Sequence, residues 1–433
     1  MAKTTNVALR SQLIYSIFPR NYTEQGGFKA IQADLPRIKA LGTDIIWLMP
    51  IYPVGEKNRK GALGSPYAIK DYRGINPELG TRADFEALTQ AIHEQGMRVI
   101  LDIVYNHTSP DSLLVQQHPD WFFKKPNGQF GNRVADWSDI IDLDYANHEL
   151  WDYQIETLKQ WAQFVDGFRC DVAPLVPLEF WLAARQALAA VKPNLIWLAE
   201  SNDPQFLKQV RDQGFEDLSD SELYQAFDMV YDYDVIDDLH DTAAGKRSLA
   251  EFARILMKQD VTFPRNYVKM RFLENHDVPR AASYLTDPQT LRNWLAFNLF
   301  EKGSGLIYAG QEFGQAHLPS LFDADPVALT GPLDLSDLIQ RVATLKHQEL
   351  LTQGAYTVTA INDQVMQVQY RLGDQLIVGL FALRPFTGTV ACELTDGKYL
   401  NQLTDTMVTV KNHQVLLTNA PIILQNSLDY SRK

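Results

Sequence analysis

The stretch Val165–Val172 places Arg169 and Asp171 two residues apart near the end of a mostly apolar segment. Side chains alternate between the faces of a β-strand, so Arg169 and Asp171 would point one way and Cys170 the other. The arginine would keep the carboxylate ionised, and an ionised, oriented carboxylate can act as a nucleophile. Taken alone, the pattern favours a structural ion pair at a strand end. Three other polar segments of the chain decide between this interpretation and a catalytic nucleophile.

Three other apolar stretches of the chain also end in polar side chains. They close on Asp102, Asn106 and His107, on Glu200, and on Asn275, His276 and Asp277, with Arg280 shortly beyond. A carboxylate that ends an apolar strand, as Glu200 does, is partly desolvated, and the resulting rise of its pKa suits a general acid. Each segment also has a structural interpretation, as a cap or a polar turn after a strand. Arg280 could pair with one of the neighbouring carboxylates.

Apolar stretches alternate with helical segments along the first 350 residues. The predicted strands are 13–18, 44–49, 97–104, 165–171, 195–200, 227–231, 267–273 and 305–309. Near-continuous apolar strands that alternate with helices predict parallel strands buried on both faces. Eight such units make an α/β fold of the (β/α)8 TIM-barrel type, whose active sites lie at the carboxyl ends of the strands.

Two further parts are predicted around this barrel. The segment 107–146 is rich in Pro, Gly, Asp and aromatic residues and is too long for a plain loop, which indicates a small inserted B domain after strand three. From 351 to 433, short strands separated by turn residues predict a C-terminal antiparallel β-sandwich domain. The catalytic barrel would then comprise 1–106 and 147–350.

Composition and charge narrow the class of protein. The formal net charge of −13 argues against a nucleic-acid partner or an anionic membrane surface. No stretch reaches the length of about eighteen apolar residues that a membrane helix needs, and the first residues lack the apolar run of a signal peptide. We therefore expect a cytoplasmic protein with no membrane partner. The two cysteines, Cys170 and Cys392, are too few for a disulfide scaffold.

The polar segments would meet if the chain forms this barrel. Asp171, Glu200 and Asp277 follow predicted strands four, five and seven, so all three would lie at one mouth of the barrel. Two carboxyl groups about 5 Å apart are the arrangement of retaining glycosidases, in which one attacks and the other protonates the leaving oxygen. A third acidic group and two histidines could hold sugar hydroxyls. Together these residues indicate a glycoside hydrolase.

With these segments in place, the chain resembles the α-amylase family, glycoside hydrolase family 13, over nearly its whole length, and in particular its compact bacterial members. The four signature segments of that family are similar to 102–107, 167–171, Glu200 and 272–277, in that order. The loop from Tyr67 to Thr81 and the segment 303–312 are similar to two further family segments. Four separate motifs in the right order form a specific signal.

The resemblance implies roles for the acidic residues and their partner. Asp171 would be the nucleophile and Glu200 the acid/base. Asp277 would stabilise the transition state by binding sugar hydroxyls. Arg169 would orient Asp171, and Asp102 would support Arg169 and the strand ends.

The resemblance also implies which residues bind the sugar. Tyr67 would stack beneath the sugar at the cleaved bond, and His107 and His276 would bind the same sugar. We also place Arg280 among the candidate substrate-binding residues. The implied fold is a catalytic barrel with an inserted B domain and a C-terminal β-sandwich, which agrees with the pattern of predicted strands and helices.

One departure from the family pattern bears on specificity and on metal binding. Many members carry a Lys-His pair three and four residues after the nucleophile, where this chain has Pro174 and Leu175. In the family the lysine contacts leaving-side sugars and the histidine carbonyl often joins a calcium site. No cofactor is required for the reaction, and a structural calcium is the one candidate metal, with Asn106 as a possible ligand. Further oxygen donors in the insert are Asp136, Asp139 and Asp142.

We expect retaining hydrolysis of α-1,4-glucosidic bonds in starch-derived dextrins and maltooligosaccharides through a covalent glycosyl-enzyme intermediate. The first alternative is a glucanotransferase or sugar isomerase that uses the same site. The second is a non-catalytic sugar-binding protein on the same fold, which should lack one of the three carboxylates. Endo or exo attack, chain-length preference and oligomeric state stay open.

Overall fold

Eight parallel strands close into a barrel. The computed structural model describes residues 5–134 and 137–426. In these ranges the strands before the C-terminal part are β1 (Leu13–Ile17), β2 (Ile45–Leu48), β3 (Arg98–Ile103), β4 (His107–Thr108), β5 (Ile141–Asp142), β6 (Gly167–Cys170), β7 (Ile196–Ala199), β8 (Met229–Tyr231), β9 (Lys269–Arg271) and β10 (Ser304–Tyr308). The order around the barrel is β1-β10-β9-β8-β7-β6-β3-β2, which confirms the predicted (β/α)8 fold.

Helices connect the strands and cover the barrel. They are α1 (Gly27–Ala40), α2 (Arg82–Glu94), α3 (Leu113–Gln117), α4 (His148–Trp161), α5 (Leu178–Ala189), α6 (Pro204–Asp212), α7 (Asp220–Leu223), α8 (Ile236–Ala243), α9 (Leu249–Thr262), α10 (Ala281–Tyr284), α11 (Pro288–Phe300), α12 (Ser336–Lys346) and α13 (Glu349–Gln353). Local sequence fixes several of their starts. Thr81 and Asp84 form a capping box at α2, and the Asp203 carboxylate caps α6 just before Pro204.

Strand β6 shows how the alternation of side chains sets up the site. Phe168 and Cys170 are buried in the apolar cluster that includes the covering helices. Arg169 instead lies over the rings of Trp47 and Tyr231, which belong to the cluster inside the barrel. The predicted division of this strand into two faces is therefore present, and it turns one buried arginine into the barrel interior.

The inserted segment between β3 and α4 is bound to the rim of the barrel. Strands β4 and β5 pair antiparallel, with His107 opposite Asp142. The hydroxyl of Tyr72, in the loop after β2, donates a 2.6 Å hydrogen bond to the His107 carbonyl. These contacts fix the backbone of His107 beside the strand ends. Asp136, one of the candidate calcium ligands, lies outside the described residues.

The C-terminal part consists of two antiparallel sheets, which confirms the predicted β domain. Its strands are β11 (Ala355–Ala360), β12 (Val365–Leu372), β13 (Gln375–Ala382), β14 (Thr387–Ala391), β15 (Gly397–Leu400), β16 (Met407–Lys411), β17 (Gln414–Thr418) and β18 (Ile422–Gln425). The sheets have the orders β11-β12-β13-β18 and β14-β17-β16-β15. Among the helices of the described ranges, none has both the length and the hydropathy of a bilayer-spanning segment.

Candidate active site

A cavity of about 650 Å³ opens at the carboxyl ends of the barrel strands. Its lining includes all three predicted catalytic carboxylates and three of the predicted sugar-binding residues, namely Asp171, Glu200, Asp277, Tyr67, His107 and His276. This volume lies within the range of about 300–1,000 Å³ that is typical of small-molecule sites. The fold thus brings together side chains that are far apart in the sequence.

The guanidinium of Arg169 lies at the centre of the acidic residues and is fully buried. Its Nη1 donates to Asp171 Oδ1 at 2.8 Å and to Asp102 Oδ1 at 2.9 Å. Its Nη2 lies 2.7 Å from Glu200 Oε1, and its Nε donates to the Tyr231 hydroxyl at 3.0 Å. One cation therefore contacts three carboxylates and fixes Asp171 and Glu200 as near neighbours.

Strand register and a strained turn position these groups. Residues Asp102 and Arg169 are direct partners in the β3–β6 ladder. After Asp171 the chain turns sharply at Val172, whose φ of 32° lies in the left-handed region that a β-branched residue rarely adopts. The turn aims the Val172 N–H at Glu200 Oε2, to which it donates at 2.7 Å. Strain of this kind is typical of functional sites.

The surroundings of Glu200 favour its protonated form. Burial raises the pKa of Glu200 well above the ordinary range of a carboxyl group. The negative charges of Asp171 and Asp277 also raise this pKa, while Arg169 opposes them. Desolvation within the cavity likewise raises the pKa of Asp277, whose side chain is 42% exposed. A buried carboxyl group that keeps its proton is what a general acid needs at neutral pH.

Tyr67, His276 and Asp277 form a second group in the cavity. The Nε2 atom of His276 lies 2.7 Å from the Tyr67 hydroxyl and 3.0 Å from Asp277 Oδ2. Burial, assisted by the charge of Arg169, lowers the pKa of His276 well below its usual value, so this imidazole is neutral. The Asn275 side-chain oxygen accepts a hydrogen bond from the Asp277 N–H at 2.8 Å, which fixes the turn that carries the carboxylate.

His107 approaches the site from the insert. Its Nε2 lies 4.0 Å from Asp171 Oδ2, and its Nδ1 lies 3.2 Å from the Asn106 amide nitrogen. The Trp137 ring is 6.1 Å from the imidazole, centroid to centroid. The inserted segment therefore contributes one wall of the cavity and holds a histidine beside the nucleophile candidate.

Two predicted site residues lie behind the cavity wall, and one lies away from it. Asp102 and Arg169 are fully buried, and they act on substrate only through the residues they hold. Arg280, which we expected among the substrate-binding residues, is also buried; its Nη1 donates to Glu274 Oε1 at 2.6 Å and its Nη2 to the Ala309 carbonyl at 2.8 Å. The expected pairing with a carboxylate is present. These hydrogen bonds hold the Arg280 guanidinium outside the lining of the cavity.

Trp47, Phe206 and Tyr231 were not among the predicted site residues, whereas Trp137 is one of the aromatic residues of the predicted insert. Tyr231 ends β8 and binds Arg169, and the Trp47 Nε1–H donates to Asp102 at 3.2 Å. Trp137 and Phe206 stack at 6.3 Å with 26° between their planes, and both line the cavity. The position of Tyr231 at a strand end is a signal that could have been used. The contact between Trp137 and Phe206 joins two distant loops, and no local pattern predicts it.

The candidate calcium ligands do not assemble an oxygen-rich site. Asn106 directs its amide nitrogen at the neighbouring imidazole, and Asp139 is ion-paired 2.9 Å from a lysine of the loop after β2. Asp142 Oδ2 accepts the Arg133 N–H at 2.7 Å, and the Asn106 side chain also donates a hydrogen bond to the Asp142 carboxylate. Calcium takes about six to eight oxygen ligands. Within 5–134 and 137–426, no group of three or more His, Cys, Asp or Glu side chains could hold a metal ion.

An arginine lies where the acidic groups of the insert converge. The Arg133 Nη1 donates to the Leu143 carbonyl at 2.8 Å and lies 3.7 Å from Asp142 Oδ2. Its Nη2 lies 3.6 Å from Asp144 Oδ1, and its guanidinium lies 4.7 Å from the centre of the Phe123 ring. A side-chain cation thus lies close to two carboxylates, and a guanidinium among the donors does not fit a calcium site.

The family is established by comparison with known proteins. A glycosidase-type carboxylate pair at the mouth of a (β/α)8 barrel defines the class of this protein as a glycoside hydrolase. The alpha-amylase catalytic domain matches residues 16–350, and the bacterial alpha-amylase C-terminal domain matches 357–424. The chain belongs to the α-amylase family.

Solved structures and a curated relative agree with this assignment. The crystal structure of an α-amylase from Lactobacillus plantarum is 50% identical, with a TM-score of 0.95, and the match covers 98% of this chain and all of that one. A noncanonic maltogenic α-amylase from Thermotoga neapolitana is 35% identical, with a TM-score of 0.86 and coverage of 97% and 100%. The α-amylase MalA of Haloarcula japonica is 28% identical over 92% of this chain, which spans 60% of the length of that relative.

Proposed function

We propose that the protein is a retaining glycoside hydrolase that cleaves α-1,4-glucosidic bonds in maltodextrins. The observation that carries this proposal is the pair of carboxylates held by one guanidinium. Arg169 lies 2.8 Å from Asp171 and 2.7 Å from Glu200, which makes the two acids close neighbours. Close carboxyl groups, about 5 Å apart, are the arrangement of retaining enzymes; inverting enzymes need a wider gap to admit water.

In the first step Asp171 attacks the anomeric carbon of the sugar that lies against Tyr67. The carboxyl group of Glu200 donates its proton to the glycosidic oxygen, the C–O bond breaks, and the leaving sugar departs as an alcohol. The product is a glycosyl ester on Asp171. Arg169 and the Val172 N–H then stabilise the carboxylate that forms on Glu200, because both already contact its oxygens.

In the second step Glu200 acts as a base. Its carboxylate takes a proton from water, the water oxygen attacks the anomeric carbon, and the Asp171 carboxylate is displaced. Two inversions restore the α configuration and both side chains regain their starting states. Neutral His276 and the Asp277 carboxyl group are within reach of the sugar hydroxyls in the same cavity, where they would help to hold the ring during both steps.

Glycosyl transfer is the second candidate function. Seven relatives are maltosyltransferases, including the α-1,4-glucan:maltose-1-phosphate maltosyltransferase of Rhodospirillum rubrum, 28% identical over 85% of this chain. Trp137 and Phe206 could also hold an acceptor sugar, because aromatic rings offer apolar surface to sugar faces. The non-catalytic alternative is disfavoured, since all three carboxylates line one cavity.

We also propose that the insert needs no calcium. Arg133 supplies the positive charge between Asp142 and Asp144, so the segment would keep its form without a bound metal.

Pro174 and Leu175 stand where many family members have a Lys-His pair, and neither lines the cavity. The leaving side is lined instead by Trp137, Phe206 and the polar residues Asn202, Asp203 and Gln205.

The function is tested with maltoheptaose and anomer-resolved NMR. We expect short maltooligosaccharides that appear first as α anomers. Glu200→Gln should lower the rate by about 10²- to 10⁴-fold, because the leaving oxygen loses its proton donor. Glu179→Gln, an exposed change on α5, is the matched control. First-formed β anomers would overturn the retaining mechanism, and products longer than maltoheptaose would favour the transferase.

A further inference from the structure

The loop 56–66, which we name the strap, borders one side of the cavity. It follows β2 and leads directly into Tyr67. Lys60 and Ser65 of the strap line the cavity, as do Leu321 and Phe322 of the loop after β10. The strap is therefore part of the cavity wall, next to the tyrosine on which the sugar would rest.

The strap is bound to the inserted segment at its first half. The Asn58 amide donates to the Ser138 carbonyl at 3.1 Å. Lys60 Nζ lies 2.9 Å from Asp139 Oδ1, and the Asp139 residue is only 5% exposed. Lys60 and Asp139 both line the cavity, so their ion pair spans the gap between two loops at the cavity edge.

The second half of the strap is bound to the loop after β10. The N–H groups of Leu63 and Gly64 donate to the Phe322 carbonyl at 2.9 and 3.2 Å, and the Ala62 N–H donates to Asp323 Oδ1 at 2.7 Å. Gly61 has a φ of 63°, and a Cβ there would lie 2.6 Å from the Phe322 Cβ. The two loops are thus in close contact, with glycine where the backbones approach.

A buried arginine joins the same two loops from below. Arg20 Nη1 donates to the Gly64 carbonyl at 2.8 Å and to the Leu321 carbonyl at 3.3 Å, and its Nη2 donates to the Leu63 carbonyl at 3.3 Å. Charge-assisted bonds to three carbonyls hold the strap against the rim. Insert, strap and β10 loop therefore form a continuous hydrogen-bonded wall.

The roles proposed for Glu200 and Tyr67 indicate which end of a glucan contacts this wall. Glu200 protonates the leaving oxygen, so the residues that follow it, among them Asn202 and Phe206, face the leaving sugars. Tyr67 lies against the sugar that Asp171 attacks. The strap follows β2 and its partner loop follows β10, and these two strands flank β1, which lies opposite β7, the strand before Glu200, in the order around the barrel. Sugars beyond the attacked one, toward the non-reducing end of the chain, would run into the strap.

We propose that the strap closes the non-reducing side of the cleft, so that the enzyme attacks chain ends and releases short units of uniform length. This inference rests on the proposed hydrolysis of α-1,4-glucans. Lys60 and Phe322 are the specificity-determining residues, because both line the cavity where the wall is joined. Glucans with a free non-reducing end are the substrate class that fits.

The test compares two 4-nitrophenyl α-maltoheptaosides. One has a free non-reducing sugar, and the other carries a 4,6-O-benzylidene group on that sugar. We expect the free substrate to be cleaved about 10- to 100-fold faster, because a closed cleft would exclude the added benzylidene group of the other substrate. Equal cleavage of both would overturn the closed cleft and leave the hydrolase intact. Cleavage of neither would overturn the proposed function, and the inference with it.

A variant with an opened wall gives a second measurement. The double variant Asn58→Ala and Lys60→Ala removes the two bridges that strap side chains make to the insert at Ser138 and Asp139. The Asp111 carboxylate still accepts the Glu56 N–H at the start of the strap. We expect the blocked-to-free rate ratio to rise about tenfold, while Lys57→Ala, an exposed change in the same strap, leaves the ratio unchanged. An unchanged ratio in a double variant that melts like the wild type would overturn the role of Lys60.

Discussion

Arg169 determines the charge balance of the site at the residue scale. One buried guanidinium contacts the carboxylates of Asp102, Asp171 and Glu200. A single positive charge cannot neutralise three negative charges away from water, so the cluster retains protons that isolated carboxyl groups would lose. Burial directs one of these protons to Glu200, whose pKa is raised well above the usual range. The site is thereby prepared for acid catalysis before a substrate arrives.

The raised pKa of Glu200 predicts the alkaline limb of activity. The acid must be protonated, so kcat/KM should fall as pH rises through this pKa, which lies above the ordinary carboxyl value of about 4.3. A substrate with a fluoride leaving group needs no proton, and α-maltosyl fluoride should keep its rate further into the alkaline range. The measurement is kcat/KM against pH for maltoheptaose and for the fluoride. Identical alkaline limbs would show that Glu200 is not the acid.

At the scale of elements, the order of strands and helices could be predicted from the sequence. Near-continuous apolar runs marked all eight barrel strands, and polar residues at the ends of four of them marked the mouth of the barrel. Strand lengths were less predictable: β9 is confined to Lys269–Arg271 although the apolar stretch spans 267–273. The sequence gives no clear strand pattern for β15 and β16 of the second C-terminal sheet. Together the two strands carry exposed Lys and Thr side chains, and each has only a short apolar face.

Parts of the site depend on contacts that no local pattern contains. Arg280 is close in sequence to the Asp277 turn, which suggested a place at the substrate. The chain instead turns into α10 at this point, and the side chain is drawn to Glu274 and to carbonyls after β10. The left-handed turn at Val172 is equally hidden, since valine gives no signal for a positive φ. Both features arise from tertiary packing.

The Arg133 contacts in the insert predict stability without calcium. A chelator should leave the melting temperature of the wild type unchanged. Arg133→Gln should lower the free energy of unfolding by about 1–2 kcal/mol, because it removes a charged hydrogen bond to Leu143 and two ion pairs. Thermal and chemical unfolding measure both effects, with exposed Arg254→Gln as the control. A chelator-induced fall in melting temperature that calcium reverses would contradict this prediction.

At the scale of the whole molecule, the barrel and the first C-terminal sheet, β11-β12-β13-β18, share one apolar core. Phe300, at the end of α11, packs against Tyr370 of β12 and Phe381 of β13 at ring distances of 5.6 and 5.9 Å. The Tyr370 hydroxyl donates to the Phe300 carbonyl at 2.8 Å, and the Trp294 Nε1–H donates to the Leu383 carbonyl at 3.0 Å. This sheet therefore supports a barrel helix and belongs to the same folding unit as the barrel.

This shared core predicts that Phe300→Ala destabilises the whole chain. The fully buried ring leaves a cavity, so the free energy of unfolding should fall by about 3–5 kcal/mol in denaturant titrations. Val261→Ala, at a side chain that is 85% exposed, should change it by less than about 0.5 kcal/mol. A separate early transition of the C-terminal sheets, with the barrel unaffected, would contradict a shared core.

The covalent intermediate is the central claim, and its trapping is the most direct test. Glu200→Gln should react with α-maltosyl fluoride, which needs no acid, and should then hydrolyse slowly because the base is missing. Mass spectrometry should find one maltosyl group per chain, bound as an ester to Asp171. Release of maltose without any adduct, or an ester on another residue, would contradict the assignment of Asp171 as the nucleophile.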